Sequence, residues 1–284
     1  MSERREPPWR LPTAAEAETV MPPEIDTTKP HTARIYDYML GGKDNFEADR
    51  QVAAQVLKAI PDMQNTLRLN RQFLRRTVRY SVRRGVQQFL DIGTGIPTAG
   101  NTHEVAQELA PEARIAYVDH DPIVLAHARA LMAGDGRGRT TFVQADLREP
   151  EKILAADEIR TVLDLDRPLT LMLVSILHFI RDEEDPHGIV ARLVDALAPG
   201  SYLVLSHASL DPDPEQGAEG AAQWRNASST MTMRHHADIL RMFPGSVELV
   251  EPGLVSDWNP DGEPDDPALS LANVWGYGGV AIKR

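Results

Sequence analysis

Val86-Gln87-Gln88-Phe89-Leu90-Asp91-Ile92-Gly93-Thr94-Gly95-Ile96-Pro97 begins as a short apolar run and breaks into Gly-x-Gly. The run has the pattern of a buried strand. The two glycines let the backbone turn sharply and bring N–H groups up to a ligand with no Cβ in the way. Asp91 stands just before the turn, where a carboxylate repels a pyrophosphate but accepts from a cationic amine. That separates two readings. A dinucleotide fingerprint is Gly-x-Gly-x-x-Gly, and here the third glycine position holds Thr98. A Gly-x-Gly alone is weak, so the weight falls on its surroundings.

Downstream, the pattern repeats. Asn101 and Glu104 have capping-box spacing, which predicts a helix from about Thr102 to Pro111. Arg114 to Val118 reads as a second strand ending in Asp119-His120-Asp121-Pro122. A carboxylate at the carboxyl end of the second strand of a βαβ unit is placed to hold both ribose hydroxyls of a nucleoside. Proline at a first helical position then predicts a helix over Ile123–Met132, with a turn over Gly134–Gly138. Thr140 to Ala145 reads as a third strand followed by Asp146-Leu147, an acid for an exocyclic adenine amine and an apolar side chain for the ring. Each acid alone is more often a cap or a turn residue. Three strand–acid junctions in succession are specific.

The continuous apolar run Leu169–Leu177 has the character of a central strand buried on both faces. Ser175 near its end is a further candidate cofactor contact. His178 follows it, and His207 holds the equivalent position after a fifth strand, Tyr202–Ser206. Ligands of doubly wound sheets bind beyond the carboxyl ends of strands, so both histidines are candidate general bases. The competing reading is that each donates to a backbone carbonyl at a strand end. A helix over Gly188–Leu197 separates these strands. Asp211 to Gly220 reads as loop, 221–243 as helical, and Val247–Val250 and Gly279–Lys283 as the last strands around a loop over Pro252–Pro267.

Upstream, residues 1–30 are rich in proline and read as an extended, partly disordered arm. A short helix carrying Ile35, Tyr38 and Met39 is expected to stop at Gly41-Gly42, and Asp44 or Asn45 to cap a second helix over 46–59. This segment reads either as a hairpin packed on the core or as a lid in which Tyr38, Gly41, Gly42 and Asn45 approach a cofactor. Leu67 to Arg84 is an amphipathic helix whose seven arginines are expected on a solvated face rather than in a nucleic-acid patch. The domain reading is thus an arm (1–30), a helical lid or extension (31–84) and an α/β domain (85–284).

A net charge of −12 argues against nucleic-acid or anionic-membrane partners. The absence of cysteine excludes disulfides, thiol catalysis and cysteine-based zinc sites. No apolar run approaches the roughly 20 residues of a membrane span, and the polar N-terminus lacks the apolar core of a signal peptide. A cytoplasmic enzyme is expected.

The segment His31–Arg50, the run Asn70-Arg71-Gln72-Phe73-Leu74-Arg75-Arg76, and Phe89 through Pro122 together resemble the actinobacterial S-adenosyl methyltransferase family, long known only as a domain of unknown function. The resemblance covers nearly the whole chain beyond the first 25 or so residues. It implies an α/β, doubly wound, Rossmann-like class I methyltransferase sheet of seven strands, the last antiparallel, with an N-terminal helical extension. It also implies S-adenosylmethionine as cofactor and a small-molecule methyl acceptor as partner. By motif, Asp91, Gly93, Thr94 and Gly95 fall on the first cofactor loop, Asp119 and His120 on the ribose acid, and Asp146 and Leu147 on the adenine contact. Ile96-Pro97 stands where many class I enzymes have a third glycine soon after the position of Gly95. Proline offers no N–H, so the methionine carboxylate needs a donor from elsewhere. Two other readings stand beside methyl transfer. One is an NAD(P)-linked oxidoreductase, disfavoured by Asp91, and the other is a non-catalytic cofactor-binding regulator.

Overall fold

Strands β1 (Gln88–Ile92), β2 (Arg114–Asp119), β3 (Arg139–Gln144), β4 (Thr170–Val174), β5 (Tyr202–Ala208), β6 (Val247–Leu249) and β7 (Gly276–Lys283) form one sheet in the order β3-β2-β1-β4-β5-β7-β6. They belong to a computed structural model that describes residues 26–98, 100–124, 138–264 and 266–284. The first five strands pair in parallel, and β7 lies antiparallel between β5 and β6. The strand order reverses between β1 and β4, which opens a crevice at their carboxyl ends. Strand β7 starts three residues earlier than its apolar run, because glycine lets it lie close. A Cβ at Gly278 would come within 2.7 Å of the Phe73 ring.

Side-chain alternation divides the core between the two faces of the sheet. Leu90, Ile92, Val118, Leu171, Leu173 and Leu205 pack with Ile189, Val190, Leu193 and Val194 of α7 (Pro186–Asp195). Phe89, Ile115, Tyr117, Met172 and Val204 pack against α3 (Met63–Arg83) and α4 (Thr102–Leu109). Short helices α5 (Pro150–Ala155) and α6 (Asp157–Val162) lie between β3 and β4 in the chain. A third cluster joins α1 (Thr32–Met39) and α2 (Glu47–Ala59) to Trp224, Met233 and Trp275. No described helix is long and apolar enough to cross a membrane.

Several local expectations need correction. The arginine face of α3 is solvated only in part: Arg68, Arg83 and Arg84 are exposed, but several of its arginines pair with acids. Arg76 is buried and meets Asp257 at 2.5 Å, Arg79 and Arg83 meet Glu263 at 3.1 and 2.8 Å, and Arg84 meets Asp261 at 3.0 Å. Asp257, Asp261 and Glu263 of the acidic 252–267 loop lie against the helix and offset part of its charge. The stretch 211–220 is not loop throughout, for α8 spans Pro214–Ala222. Asp213 accepts from the N–H groups of Glu215 and Gln216, and Pro214 occupies a favourable first position. Its glycines serve close packing, since a Cβ at Gly220 would fall 2.3 Å from Ile60. Residues 221–243 instead hold a 3-10 turn, Gln223–Asn226, and only one short helix, α9 (His236–Leu240). Neither Asp44 nor Asn45 caps α2. Asp49 accepts from the Phe46 N–H at 2.8 Å, while the Asn45 amide donates to Asp37. The helix expected over Ile123–Met132 and the turn over Gly134–Gly138 lie almost wholly outside the described residues, as does the arm up to residue 25.

Candidate active site

The turn after β1 is held by its neighbours. The Gly93 N–H donates to the Val118 carbonyl at 2.8 Å, and φ is +80° at Gly93 and +64° at Gly95. A Cβ at Gly93 would collide with Ile176 at 2.5 Å, whereas the same position at Gly95 opens onto empty space. Asp119, at the end of β2, accepts the Gly95 N–H on Oδ2 and the Asp121 N–H on Oδ1, each at 3.0 Å. Asp91 is buried and accepts from the Thr102 hydroxyl at 2.6 Å. Burial pushes its carboxyl up to about 6, and nearby Asp119 adds to this, against the opposing Thr102 bond and the Arg71 charge. These groups line one cavity with Thr94, His120, Asp146, Leu147 and Ser175.

Residues outside the motifs complete that cavity. Helix α1 and the residue before it contribute His31, Thr32, Ala33 and Tyr36, and α3 contributes Asn70 and Arg71. Arg71 donates to the Gly100 carbonyl at 3.1 Å, which brings its guanidinium beside the turn where proline leaves a donor missing. His31 Nε2 lies 2.5 Å from Asp121 Oδ2 and ties α1 to the loop after β2. Burial raises the Asp121 carboxyl, but the His31 contact, the Ile123 N–H and the His120 ring together hold the group below its ordinary value.

A second cavity adjoins the first, and Tyr36, Asn70, Ser175 and Phe179 line both. Ser175 has φ +56°, a left-handed conformation rare for a non-glycine residue and typical of constrained functional positions. Its N–H donates to the Ser206 hydroxyl at 3.0 Å, Ser206 donates to the Asn70 side-chain oxygen at 2.6 Å, and the Asn70 amide donates to the Tyr36 hydroxyl at 3.3 Å. This chain of bonds fixes the wall between the cavities.

The family model described as S-adenosyl methyltransferase matches residues 18–284. The chain belongs to that family. It is similar to a crystal structure of a DUF574 family protein from Streptomyces avermitilis, with 41% identity, 91% of this chain and 99% of that chain covered, and a TM-score of 0.85. A candidate methyltransferase from Thermobifida fusca gives 42% identity, 93% and 98% coverage, and a TM-score of 0.83. No curated protein matches. The protein is a class I methyltransferase, its cofactor is S-adenosylmethionine, and the seven-stranded sheet with its antiparallel β7 is the fold the resemblance implies.

The cavity residues fit that cofactor. A buried carboxylate with a raised pKa and an arginine face one space, which suits an ammonium and a carboxylate on a single ligand. The open space at Gly95 gives the backbone an unobstructed approach. The structure does not bring Tyr38, Gly41, Gly42 or Asn45 to this methyltransferase cavity. Tyr38 is exposed, a Cβ at Gly42 would strike Asp37, and the Asn45 amide is used by Asp37 and the Gly42 carbonyl. From this segment the cavity is lined instead by His31, Thr32, Ala33 and Tyr36.

The two histidines lie in the second cavity and differ in state. His207 donates from Nδ1 to the Ala208 carbonyl at 2.7 Å and accepts on Nε2 from Arg234 at 2.8 Å. Both nitrogens are engaged and burial lowers its pKa to about 3, so His207 is not placed to act as a base. His178 is also buried, and burial, reinforced by the neighbouring His207 ring and the Arg234 charge, lowers its pKa well below the ordinary value. Its ring makes no hydrogen bond among the described residues. Arg234, which no motif singles out, clamps the surrounding loop. It donates to the Leu177 and Ile180 carbonyls and pairs with Asp182.

Proposed function

We propose that the first cavity holds S-adenosylmethionine and the second a small-molecule acceptor. In this reading Asp119 accepts from the ribose hydroxyls, Asp146 accepts from the adenine amine, and Leu147 packs on the ring. Asp91 and the Gly93–Gly95 turn meet the methionine ammonium, and Arg71 donates to its carboxylate. The observation that carries the reading is the shared wall of Tyr36, Asn70, Ser175 and Phe179, which makes the two cavities meet at one junction. When bound, the cofactor supplies a methyl group on a sulfonium. Its transfer asks for alignment more than for covalent help.

The chain's own part is therefore positioning. The hydrogen-bonded series from Ser175 through Ser206 and Asn70 to Tyr36 orients the junction, and α1 covers it from water. His178 is a hydrogen-bonding group for the acceptor. Its lowered proton affinity makes it a weaker base than free imidazole, so it orients rather than deprotonates. Titration calorimetry with S-adenosylmethionine, S-adenosylhomocysteine, NAD and NADP tests the cofactor site, and binding of only the first two is expected. Release of S-adenosylhomocysteine in an acceptor screen tests the second cavity. Normal turnover of proteins alone, with no small molecule accepted, would overturn the small-molecule reading.

A further inference from the structure

The second cavity is walled by rings and thioethers, among them Phe73, Phe179, Trp224, Trp275, Met39 and Met231. Among the described residues, no Asp, Glu, Lys or Arg lines it. Its polar groups are mostly spent on one another, as Ser206 and Asn70 are through their 2.6 Å bond and His207 is through both ring nitrogens. Among the described residues that line it, His178 is the one with an enclosed side-chain polar atom that has no partner. It is 5% exposed, neither ring nitrogen has a hydrogen-bond partner among the described residues, enclosure of Nδ1 leaves Nε2 as the atom a ligand can reach, and its ring stands against Phe179 at a centroid distance of 4.4 Å. A buried polar group left unbonded is costly, and such a group in a native cavity points to a ligand that completes it. A neutral imidazole offers one donor and one acceptor, which an alcohol can satisfy. A charged acceptor would lose its hydration here with no counter-ion to replace it.

Resting on the reading of this cavity as the acceptor site, we propose that the methyl acceptor is an uncharged aromatic compound whose hydroxyl hydrogen-bonds His178. The surrounding rings favour edge or offset contacts with another ring, and the methionines adapt to its outline.

Three probes of one shape test this by titration calorimetry on the full chain saturated with S-adenosylhomocysteine: 4-ethylphenol, 4-ethylbenzoate and 4-ethylbenzylammonium. The phenol is expected to bind at least about tenfold more tightly than either charged compound. His178→Phe is expected to weaken the phenol about tenfold, as loss of one buried hydrogen bond would, and to leave affinity for S-adenosylmethionine unchanged. Equal or tighter binding of a charged probe would overturn the proposal. So would a His178→Phe chain that holds the phenol as well as the wild type, or a wild type that binds S-adenosylmethionine but none of the three probes. If His178→Phe fails to fold, the wild-type comparison alone decides. A wild type that does not bind S-adenosylmethionine would instead overturn the cofactor reading beneath it, a different and separately visible result.

Discussion

Asp119 Oδ2 accepts the Gly95 N–H at 3.0 Å, so the acid that ends β2 and the glycine turn that follows β1 are one unit. The acid's other oxygen is tied to the Asp121 N–H. Oδ1 also faces His120 Nδ1 at 3.5 Å, so Oδ2 keeps the freer lone pair for a ligand, and its direction is set before any ligand arrives. The preorganisation spares the ordering cost that a free side chain would incur on binding.

The first prediction follows. Asp119→Ala removes a charged acceptor from the ribose and loosens the turn, and is expected to cost about 1.5–3 kcal/mol of S-adenosylmethionine binding. Asp119→Asn keeps one carbonyl acceptor and should fall between that variant and the wild type. Calorimetric affinities equal across the three proteins would remove Asp119 from the ribose.

Asp91 supplies a pH dependence. Its folded pKa of about 6 lies above that of an unfolded aspartate. Between roughly pH 4 and 6 the folded chain therefore binds more protons than the unfolded one, and stability without ligand falls as pH rises through that window. A cationic amine favours the deprotonated form. Affinity for S-adenosylmethionine is expected to rise by up to about tenfold per pH unit below 6 and to level off above. Asp91→Asn should bind weakly at every pH with a flat profile. A wild-type affinity constant from pH 5 to 7.5 would show that no ammonium meets Asp91.

Arg71 stands where Pro97 leaves a donor missing, and the expected effect is confined to one end of the ligand. Arg71→Ala should weaken S-adenosylmethionine by about tenfold or more, the scale of a charge-assisted hydrogen bond. Affinity for 5′-methylthioadenosine, which lacks the amino-acid end, should barely change. Equal losses for both compounds would mean that the variant disturbs the turn at Gly100 rather than a carboxylate contact.

The sheet was legible because its central strands are apolar runs and its first three lead into acids, a pattern that spacing along the chain resolves. The motif positions from Asp91 to Ser175 reach one cavity for the same reason, since parallel topology brings strand ends together. What failed to read depended on facing and on distant partners. Tyr36 and Tyr38 are two residues apart on a helix, so they point to nearly opposite sides, and Tyr36 lines the cavity while Tyr38 is exposed. The arginines of α3 looked solvated because their acids, Asp257, Asp261 and Glu263, lie far along the chain. Asn70-Arg71 could have been found as an unexplained polar pair on the apolar side of that helix.

The N-terminal segment gives the last prediction. Deleting residues 1–25 is expected to leave affinity for S-adenosylmethionine unchanged, because the described cavity lining begins at His31. Deleting 1–46 removes His31 and Tyr36 and also strips buried Asp49 of Arg34, its ion-pair partner at 2.9 Å. A buried charge left alone costs about 3–5 kcal/mol, so this truncation should lower stability as well as abolish binding. The point variant His31→Ala separates the two effects. It breaks the link to Asp121 at the edge of the cavity and leaves the Arg34–Asp49 pair in place. Its melting temperature should stay within a few degrees of the wild type, while affinity for S-adenosylmethionine drops about three- to tenfold, as loss of one hydrogen bond predicts. A long truncation that remains folded and binds normally, or a His31→Ala chain with undiminished affinity, would show that α1 packs beside the site without closing it.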